Sequence, residues 1–158
     1  MNPSRTMIAA AFISLAAAPP ALAQGPCDLV LKQAAQVMGA AAGKSERFKP
    51  TATAEVCKVR SADSAAAVQL TMSADKQPGQ TIMVQKMIAQ RAADPDQTFR
   101  DEPTLGTNAF SLRDKEHVTF FAAGGGHVIA AALTLDRGVT DADVERARQF
   151  AKQLIAAK

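Results

Sequence analysis

The sequence predicts an α+β fold in which an antiparallel sheet of about five strands packs against three helices. Two observations predict this class. Helical and strand-like hydrophobic patterns follow one another in the order helix, two strands, helix, three strands, helix, and the strands are separated by short turns. Short turns favour a two-strand hairpin and a three-strand meander, and three amphipathic helices need a sheet face to cover.

The first helix is predicted over residues 29–42. Asp28 is suited to cap its N-terminus, and Gly43 is suited to end it in a left-handed conformation. Its apolar face consists of Val30, Ala34, Val37, Met38 and Ala41. The polar residues 44–50 are expected to form a loop.

A hairpin follows, with strands predicted over residues 51–60 and 66–73. In the second strand Val68, Leu70 and Met72 alternate with polar residues, which is the period of a half-buried strand. The four small and polar residues 61–64 are the expected turn.

The second helix is predicted over residues 80–93, and a short strand over residues 82–84 is the alternative. Four apolar residues fit a helical stripe: Met83, Val84, Met87 and Ile88. The Asp94-Pro95 step ends this element, because a proline disfavours helix at the residue before it.

The meander is predicted over residues 108–113, 116–123 and 127–135, after a polar loop at 94–106. Its main core residues are expected to be Phe110, Leu112, Val118, Phe120, Leu133 and Leu135. The last helix follows Thr140, which with Asp143 makes a variant capping box. Its buried stripe is predicted to consist of Val144, Ala147, Ala151, Leu154 and Ile155, with Phe150 beside it.

The first 23 residues have the composition of a secretory signal peptide. Arg5 supplies the positive charge, residues 7–18 are apolar, and Ala-Leu-Ala at 21–23 fits a cleavage site. An uncleaved anchor is the alternative, but an apolar run of about 12 residues is shorter than the roughly 20 that a span needs. A second alternative is lipidation at Cys27, but the residues that precede this cysteine match a lipidation motif poorly. We expect a single domain of residues 24–158 in the periplasm or secreted, with no membrane span after cleavage.

Charge and aromatic content limit the classes of partner. Cleavage would remove one of the 18 basic residues and none of the 15 acidic ones, which leaves a formal charge of +2. The basic residues are scattered, so a nucleic-acid partner is not expected. The chain contains no Trp or Tyr. Carbohydrate and single-stranded nucleic acid are therefore disfavoured, since their binding sites usually use such rings.

The chain has two cysteines, Cys27 and Cys57, and both would remain after cleavage. In an oxidising compartment they have one intramolecular pairing, so a Cys27–Cys57 disulfide is expected. A redox-active pair is the alternative, but the close Cys-x-x-Cys spacing that such chemistry usually uses is absent. We therefore expect a structural disulfide.

Two groups of residues are candidate metal sites. His117 and His127 would lie at opposite ends of one hairpin, which opposes a shared metal ion. The acidic loop of Asp94, Asp96, Asp101 and Glu102 could hold calcium, but Arg100 lies within it and the EF-hand spacing is absent. We expect a solvated loop and no metal.

A run of three glycines lies between the last two predicted strands. A phosphate-binding loop would open a helix after a strand, so a hairpin turn is the favoured interpretation. Apolar residues on both sides of the turn could leave a contact surface near its tip. The candidate surface consists of Phe121, Gly124, Gly125, Gly126 and His127.

Two segments resemble a family of secreted actinobacterial lipoproteins of unknown function. These are Pro-Cys-Asp-Leu-Val at residues 26–30 and Thr-Leu-Gly-Thr-Asn-Ala at 104–109, where the family has Pro-Cys-x-Leu-Leu and Gly-Leu-Gly-Asp-x-Ala. The chain departs from the family at Thr107, where the family has Asp, and it lacks a lipobox. The resemblance implies an early helix, a second cysteine on a strand and a final helix after a meander. It implies no catalytic residues.

The sequence contains no specific catalytic motif and none for a cofactor. The favoured hypothesis is a non-catalytic interaction or sensing domain with an unknown periplasmic protein partner. The first alternative is a domain that binds a small apolar ligand in a groove between helix and sheet, near Met83 and Met87. The second alternative is an enzyme of unrecognised type.

Overall fold

The computed structural model describes residues 25–92 and 94–157; the predicted signal peptide lies outside them. The elements are α1 (Pro26–Met38), β1 (Ala42–Thr51), β2 (Ala54–Ser61), β3 (Ala66–Ala74), α2 (Gln80–Ala92), β4 (Thr98–Asp101), β5 (Phe110–Arg113), β6 (His117–Gly124), β7 (His127–Leu135) and α3 (Asp141–Ala156). A 3₁₀ turn at Pro103–Leu105 lies between β4 and β5. None of the described helices is long and apolar enough to cross a membrane.

The strands form one antiparallel sheet in the order β1-β2-β3-β7-β6-β5-β4. The long pairing of β3 with β7, from Ala66 opposite Leu135 to Ala74 opposite His127, joins the first three strands to the last four. For the part of the chain that the structure describes, the α+β class, the antiparallel sheet and the three helices are confirmed. Within the described residues the sheet has seven strands, so the prediction of about five is wrong.

The two strands missing from the prediction are the two edges of the sheet. Residues 44–50, expected to be a loop, belong to β1, and the polar loop 94–106 contains β4. All but one residue of β1 is exposed, and its Lys, Arg and Pro residues are typical of a protected edge. An edge strand can be stabilised by backbone hydrogen bonds to its one neighbour, so it shows little of the apolar alternation used to recognise strands.

Helix α1 begins and ends earlier than predicted. Pro26 occupies its first turn, where a proline is well tolerated, and Asp28 lies inside that turn rather than at the N-cap. Gly39, with φ of 66°, is the left-handed C-cap. Gly43 instead lies in β1, where a Cβ atom would be 2.8 Å from the Ala62 Cα. That glycine therefore permits close approach of the chain and does not end the helix.

Helices α1 and α3 pack beside each other on one face of the sheet, here called the covered face. α1 contacts β2 and β3, whereas α3 contacts β6 and β7. Large buried residues of this core include Val30, Met38, Val68, Leu70, Val118, Phe120, Leu133, Leu135, Phe150 and Leu154. The predicted stripe of α3 is confirmed, with Ala147, Ala151 and Leu154 buried.

Helix α2 packs on the opposite face, here called the back face. Ile82 is buried there against Phe110 and Val128. The rings of Phe99, Phe110 and Phe121 stack across three strands, with centroids 5.4 and 4.6 Å apart. Phe110 and Leu112 were expected in the main core and belong to this smaller cluster instead, where Leu112 is half-buried. The strand alternative for residues 82–84 is wrong, because they lie in α2.

Candidate functional site

Cys27 and Cys57 form a disulfide, with their Cα atoms 5.7 Å apart. It joins the first turn of α1 to β2 and lies in the core between that helix and the covered face of the sheet. Both cysteines are almost fully buried, with 1% and 0% exposed. Such burial keeps an attacking thiolate away from the sulfur atoms, which favours a structural bond over a redox-active one.

The two histidines lie at opposite ends of the β6–β7 hairpin, as predicted. His117 pairs with Thr134, and its Nδ1 is 3.0 Å from Asp114 Oδ1. Burial raises the pKa of Asp114, but hydrogen bonds from the Glu116 backbone and from His117 outweigh it and hold the pKa below its usual value. His127 Nδ1 is 3.1 Å from the carbonyl oxygen of Gly125. Each ring is thus engaged locally in its own turn.

The acidic residues of segment 94–102 point to different partners. Asp94 Oδ1 accepts a hydrogen bond from the Asp96 backbone, and Asp101 pairs with Lys86 at 2.6 Å. Glu102 is only 3% exposed, so the expectation of a solvated loop is wrong for this residue. Among the residues that the structure describes, no group of three or more His, Cys, Asp or Glu side chains is arranged to hold a metal ion.

Glu102 belongs to a buried ion pair that the sequence did not indicate. It accepts hydrogen bonds from Ser111 Oγ and from Arg148 Nε, each at 2.8 Å. The Arg148 guanidinium also lies over the Phe120 ring, 5.6 Å from its centroid. The pair connects the 3₁₀ turn to α3, although Glu102 and Arg148 are 46 residues apart. A pairing at that separation has no local sequence signal.

A second buried carboxylate, Asp143, lies at the N-terminus of α3. The predicted capping box is confirmed, because Thr140 and Asp143 exchange side-chain to backbone hydrogen bonds. Arg137 donates to both carboxylate oxygens, at 2.8 and 2.9 Å, and Arg146 donates as well. The hydrogen bonds from Arg137 chiefly hold the pKa of Asp143 well below its usual range, and Thr140 adds to the effect. Asp143 is therefore ionised and saturated with donors at neutral pH.

The run of three glycines is a hairpin turn, as favoured. Gly124 ends β6 opposite His127, and Gly125 and Gly126 have φ of 61° and 81°. Positive φ at both central positions is typical of a tight hairpin turn and is easily adopted by glycine. A Cβ atom at Gly124 would overlap the Ile155 Cγ2 atom, so this glycine permits the hairpin to pack against the end of α3.

The candidate contact surface around this turn is divided by the sheet. Gly124 faces α3 on the covered side, and the Phe121 ring stacks on Phe110 on the back side. The Gly126 carbonyl oxygen accepts a hydrogen bond from the Asp75 backbone at 2.8 Å. The structure thus brings the glycines and His127 together at the tip but places Phe121 in a separate apolar cluster.

Helix α2 presents an exposed apolar stripe, here called the α2 stripe and defined as Met83, Val84, Met87 and Ile88. These side chains are 42%, 40%, 41% and 61% exposed. The opposite side of the helix packs on the sheet through Ile82 and Ala89. Met83 and Met87 therefore lie on the outer side of α2 and not in a groove between helix and sheet. A signal was present in the sequence, since α2 has apolar residues on two sides and one sheet can cover only one.

Charges of both signs surround the α2 stripe. Asp75 accepts hydrogen bonds from the Gly79 backbone and from Thr81 Oγ1 at the start of the helix. Lys86 pairs with Asp101 along its side, and Arg91 lies in its last turn. The surface is thus an apolar centre with a rim of mixed charge.

The chain matches no protein-family model, and no curated protein or solved structure is significantly similar to it. The resemblance to secreted actinobacterial lipoproteins therefore stays a prediction from two short segments.

Proposed function

We propose that the protein is a non-catalytic interaction domain of the periplasm or the cell exterior that binds another protein through the α2 stripe. The observation that carries the proposal is the exposure of four large apolar side chains on one side of α2. Exposed apolar side chains scattered singly are normal, whereas a contiguous group with a polar rim is typical of an interaction surface.

The arrangement of the stripe fits recognition of its helix by an apolar groove in a partner. Met83 and Met87 are one turn apart, as are Val84 and Ile88, which is the spacing of anchors in helix-in-groove binding. Methionine adapts its shape to a partner more readily than branched side chains do. The mixed charges around the stripe favour a protein over an anionic membrane, which would select a basic rim.

The proposed compartment is supported by two features of different kinds. The buried Cys27–Cys57 disulfide is typical of an oxidising environment. The N-terminal sequence has the three parts of a signal peptide.

The two alternatives have less geometric support. A small apolar ligand would require Met83 and Met87 to line an enclosed space, whereas both are about two-fifths exposed. An enzyme would require an activated acid, base or nucleophile, and the buried carboxylates Glu102 and Asp143 are instead bonded to arginines.

Site-specific photo-cross-linking in cells that export the full chain tests the proposal. A photoreactive residue replaces Met87 or, as a matched control, Leu31, which is 41% exposed on α1. We expect a discrete adduct with a second protein from position 87 and none from position 31. Val84→Lys should abolish the adduct at position 87, because it places a charge in the apolar contact, and Leu31→Lys should not.

Two outcomes would contradict the proposal. One is an identical adduct pattern from positions 31 and 87, which would show non-specific contact. The other is an adduct only between two copies of the chain, which would make the α2 stripe a dimer interface. Circular dichroism of the Val84→Lys protein checks that it remains folded.

A further inference from the structure

Two methionines lie one helical turn apart in the α2 stripe. Met83 and Met87 are 42% and 41% exposed, and they share one side of the helix because residues four apart lie one above the other. The helix meets the sheet through Ile82 and Ala89 on its other side. The two thioether side chains are therefore open to solvent and lie away from the contact that holds α2 on the sheet.

The other methionines of the described residues are shielded from solvent. Met38 on α1 is 2% exposed, and Met72 on β3 is half-buried against the core of the covered face. Met1 and Met7 belong to the predicted signal peptide and lie outside the described residues. An oxidant has to reach the sulfur atom, so exposure decides how readily a thioether reacts. The most accessible thioethers of the described chain are thus both in the α2 stripe.

No thiol competes with these two side chains for an oxidant. Peroxides oxidise the sulfur atoms of cysteine and methionine, and an exposed thiolate is attacked readily. Cys27 and Cys57, the two cysteines of the chain, are joined in a buried disulfide and neither is free. Peroxide chemistry on the folded protein is therefore directed to Met83 and Met87.

We propose that Met83 and Met87 are a modification site at which a peroxide switches off partner binding by the α2 stripe. The sulfur lone pair attacks one oxygen atom of hydrogen peroxide, the O–O bond breaks, and an S–O bond forms. The departing hydroxide takes the proton from the transferred oxygen and leaves as water. Each sulfur atom loses two electrons, the peroxide gains them, and the side chain becomes a methionine sulfoxide.

Oxidation changes the stripe without changing what holds the fold. A sulfoxide is polar, so it replaces part of an apolar surface with a hydrogen-bond acceptor. In the free protein the sulfoxide oxygen faces water, whereas in an apolar groove of the partner it would be buried without a donor, which is costly. This effect on binding rests on the proposed function, whereas the site of oxidation does not.

Peptide mass spectrometry of the protein, purified after export of the full chain and treated with hydrogen peroxide, locates the modification. We expect Met83 and Met87 to gain oxygen several times faster than Met38, with Met72 in between. In the chain unfolded by urea the four methionines should react at similar rates, which controls for intrinsic reactivity. Equal rates in the folded protein would overturn the modification site.

Photo-cross-linking tests the effect on binding. An apolar photoreactive residue replaces Ile88, so that both methionines are kept. The purified protein is treated with peroxide, catalase removes the excess, and the periplasmic and secreted proteins of the exporting cells are then added. We expect the adduct of the untreated protein to fall about tenfold after oxidation, because an unpaired polar group is buried in the contact. The Met83→Leu, Met87→Leu double variant is the matched control and should keep its adduct, because leucine is apolar and has no sulfur.

The outcomes separate this inference from the proposed function. An adduct that survives full oxidation of Met83 and Met87, or an equal loss in the double leucine variant, would overturn the switch and leave the proposed function intact. Absence of an adduct from untreated protein would overturn the proposed function and the switch with it, while the oxidation rates would still decide the modification site. Circular dichroism should be the same before and after oxidation, and unfolding on oxidation would also overturn the switch.

Discussion

Helices α2 and α3 are both amphipathic, yet they use their apolar sides in opposite ways. α3 buries Ala147, Phe150 and Leu154 against the sheet, whereas α2 buries Ile82 and exposes its stripe. The apolar spacing in the sequence is similar in the two. Periodicity therefore identifies an apolar side of a helix but not whether the same chain covers it.

Their anchoring differs as well. The covered face is held by the Cys27–Cys57 disulfide, the Glu102–Arg148 pair and the Asp143 cluster. On the back face, α2 is held by the small Ile82 cluster and by the partly exposed Lys86–Asp101 pair. Exposed ion pairs contribute little to stability. We therefore expect global stability to reside mainly in the covered face.

The largest effect is expected from truncating a core ring of the covered face. Phe120 is fully buried, so Phe120→Ala should lower the free energy of unfolding by about 3–5 kcal/mol, because it leaves a cavity. Phe48→Ala is the matched control, since Phe48 is 52% exposed on β1 and should change stability by less than about 0.5 kcal/mol. Urea unfolding measures both. Equal losses would refute the assignment of stability to the covered face.

Removal of the disulfide should have the next largest effect. Cys27 and Cys57 are 30 residues apart, and closing a loop of that size restricts the unfolded chain by about 3–4 kcal/mol. The Cys27→Ala, Cys57→Ala double variant should melt about 10 °C lower than the oxidised protein. Reduction of the wild type should give a similar loss. Two free thiols in exported protein, by mass spectrometry, would disprove the pairing.

Asp143→Asn should cost about 1–2 kcal/mol at neutral pH, because it weakens the N-cap and removes the charge that Arg137 binds. The pKa of Asp143 is lowered in the folded state. Its contribution is therefore present above the unfolded pKa and is lost as pH falls through the folded value. Urea midpoints of wild type and variant should approach each other from about pH 5 to pH 3. A constant difference would show that the charge contributes nothing.

The smallest stability effect is expected in the α2 stripe. Ile88 is 61% exposed, so Ile88→Gln should change the free energy of unfolding by less than about 0.5 kcal/mol. The same variant should reduce the cross-link formed at position 87. A loss of several kcal/mol would mean that Ile88 is buried within the folded chain, and the contrast between α2 and α3 would then fail.

Much of the fold could be predicted from local pattern. The β7 bounds, the capping box at Thr140 and the glycine hairpin were predicted correctly, because each rests on neighbouring residues. The disulfide pairing was predicted because only two cysteines are present. Edge strands β1 and β4 were missed, because backbone pairing stabilises them without a strong side-chain pattern.

The candidate sites depended more on tertiary structure. The turn residues Gly124–Gly126 are adjacent in sequence, yet Phe121 lies on the other side of the sheet. Glu102 and Arg148 pair although 46 residues separate them in the chain, a relation that no local pattern shows.

Local sequence patterns were enough to predict that helices alternate with antiparallel strands, where most of these elements begin and end, and which two cysteines pair. These properties follow from short-range rules of periodicity, capping and turn geometry. Three features emerged only in the folded protein: which side of α2 contacts the sheet, which arginines neutralise Glu102 and Asp143, and the packing of α1 beside α3. Those outcomes depend on packing between segments distant in the chain, where an apolar or charged side chain has several possible partners and only the folded arrangement selects one.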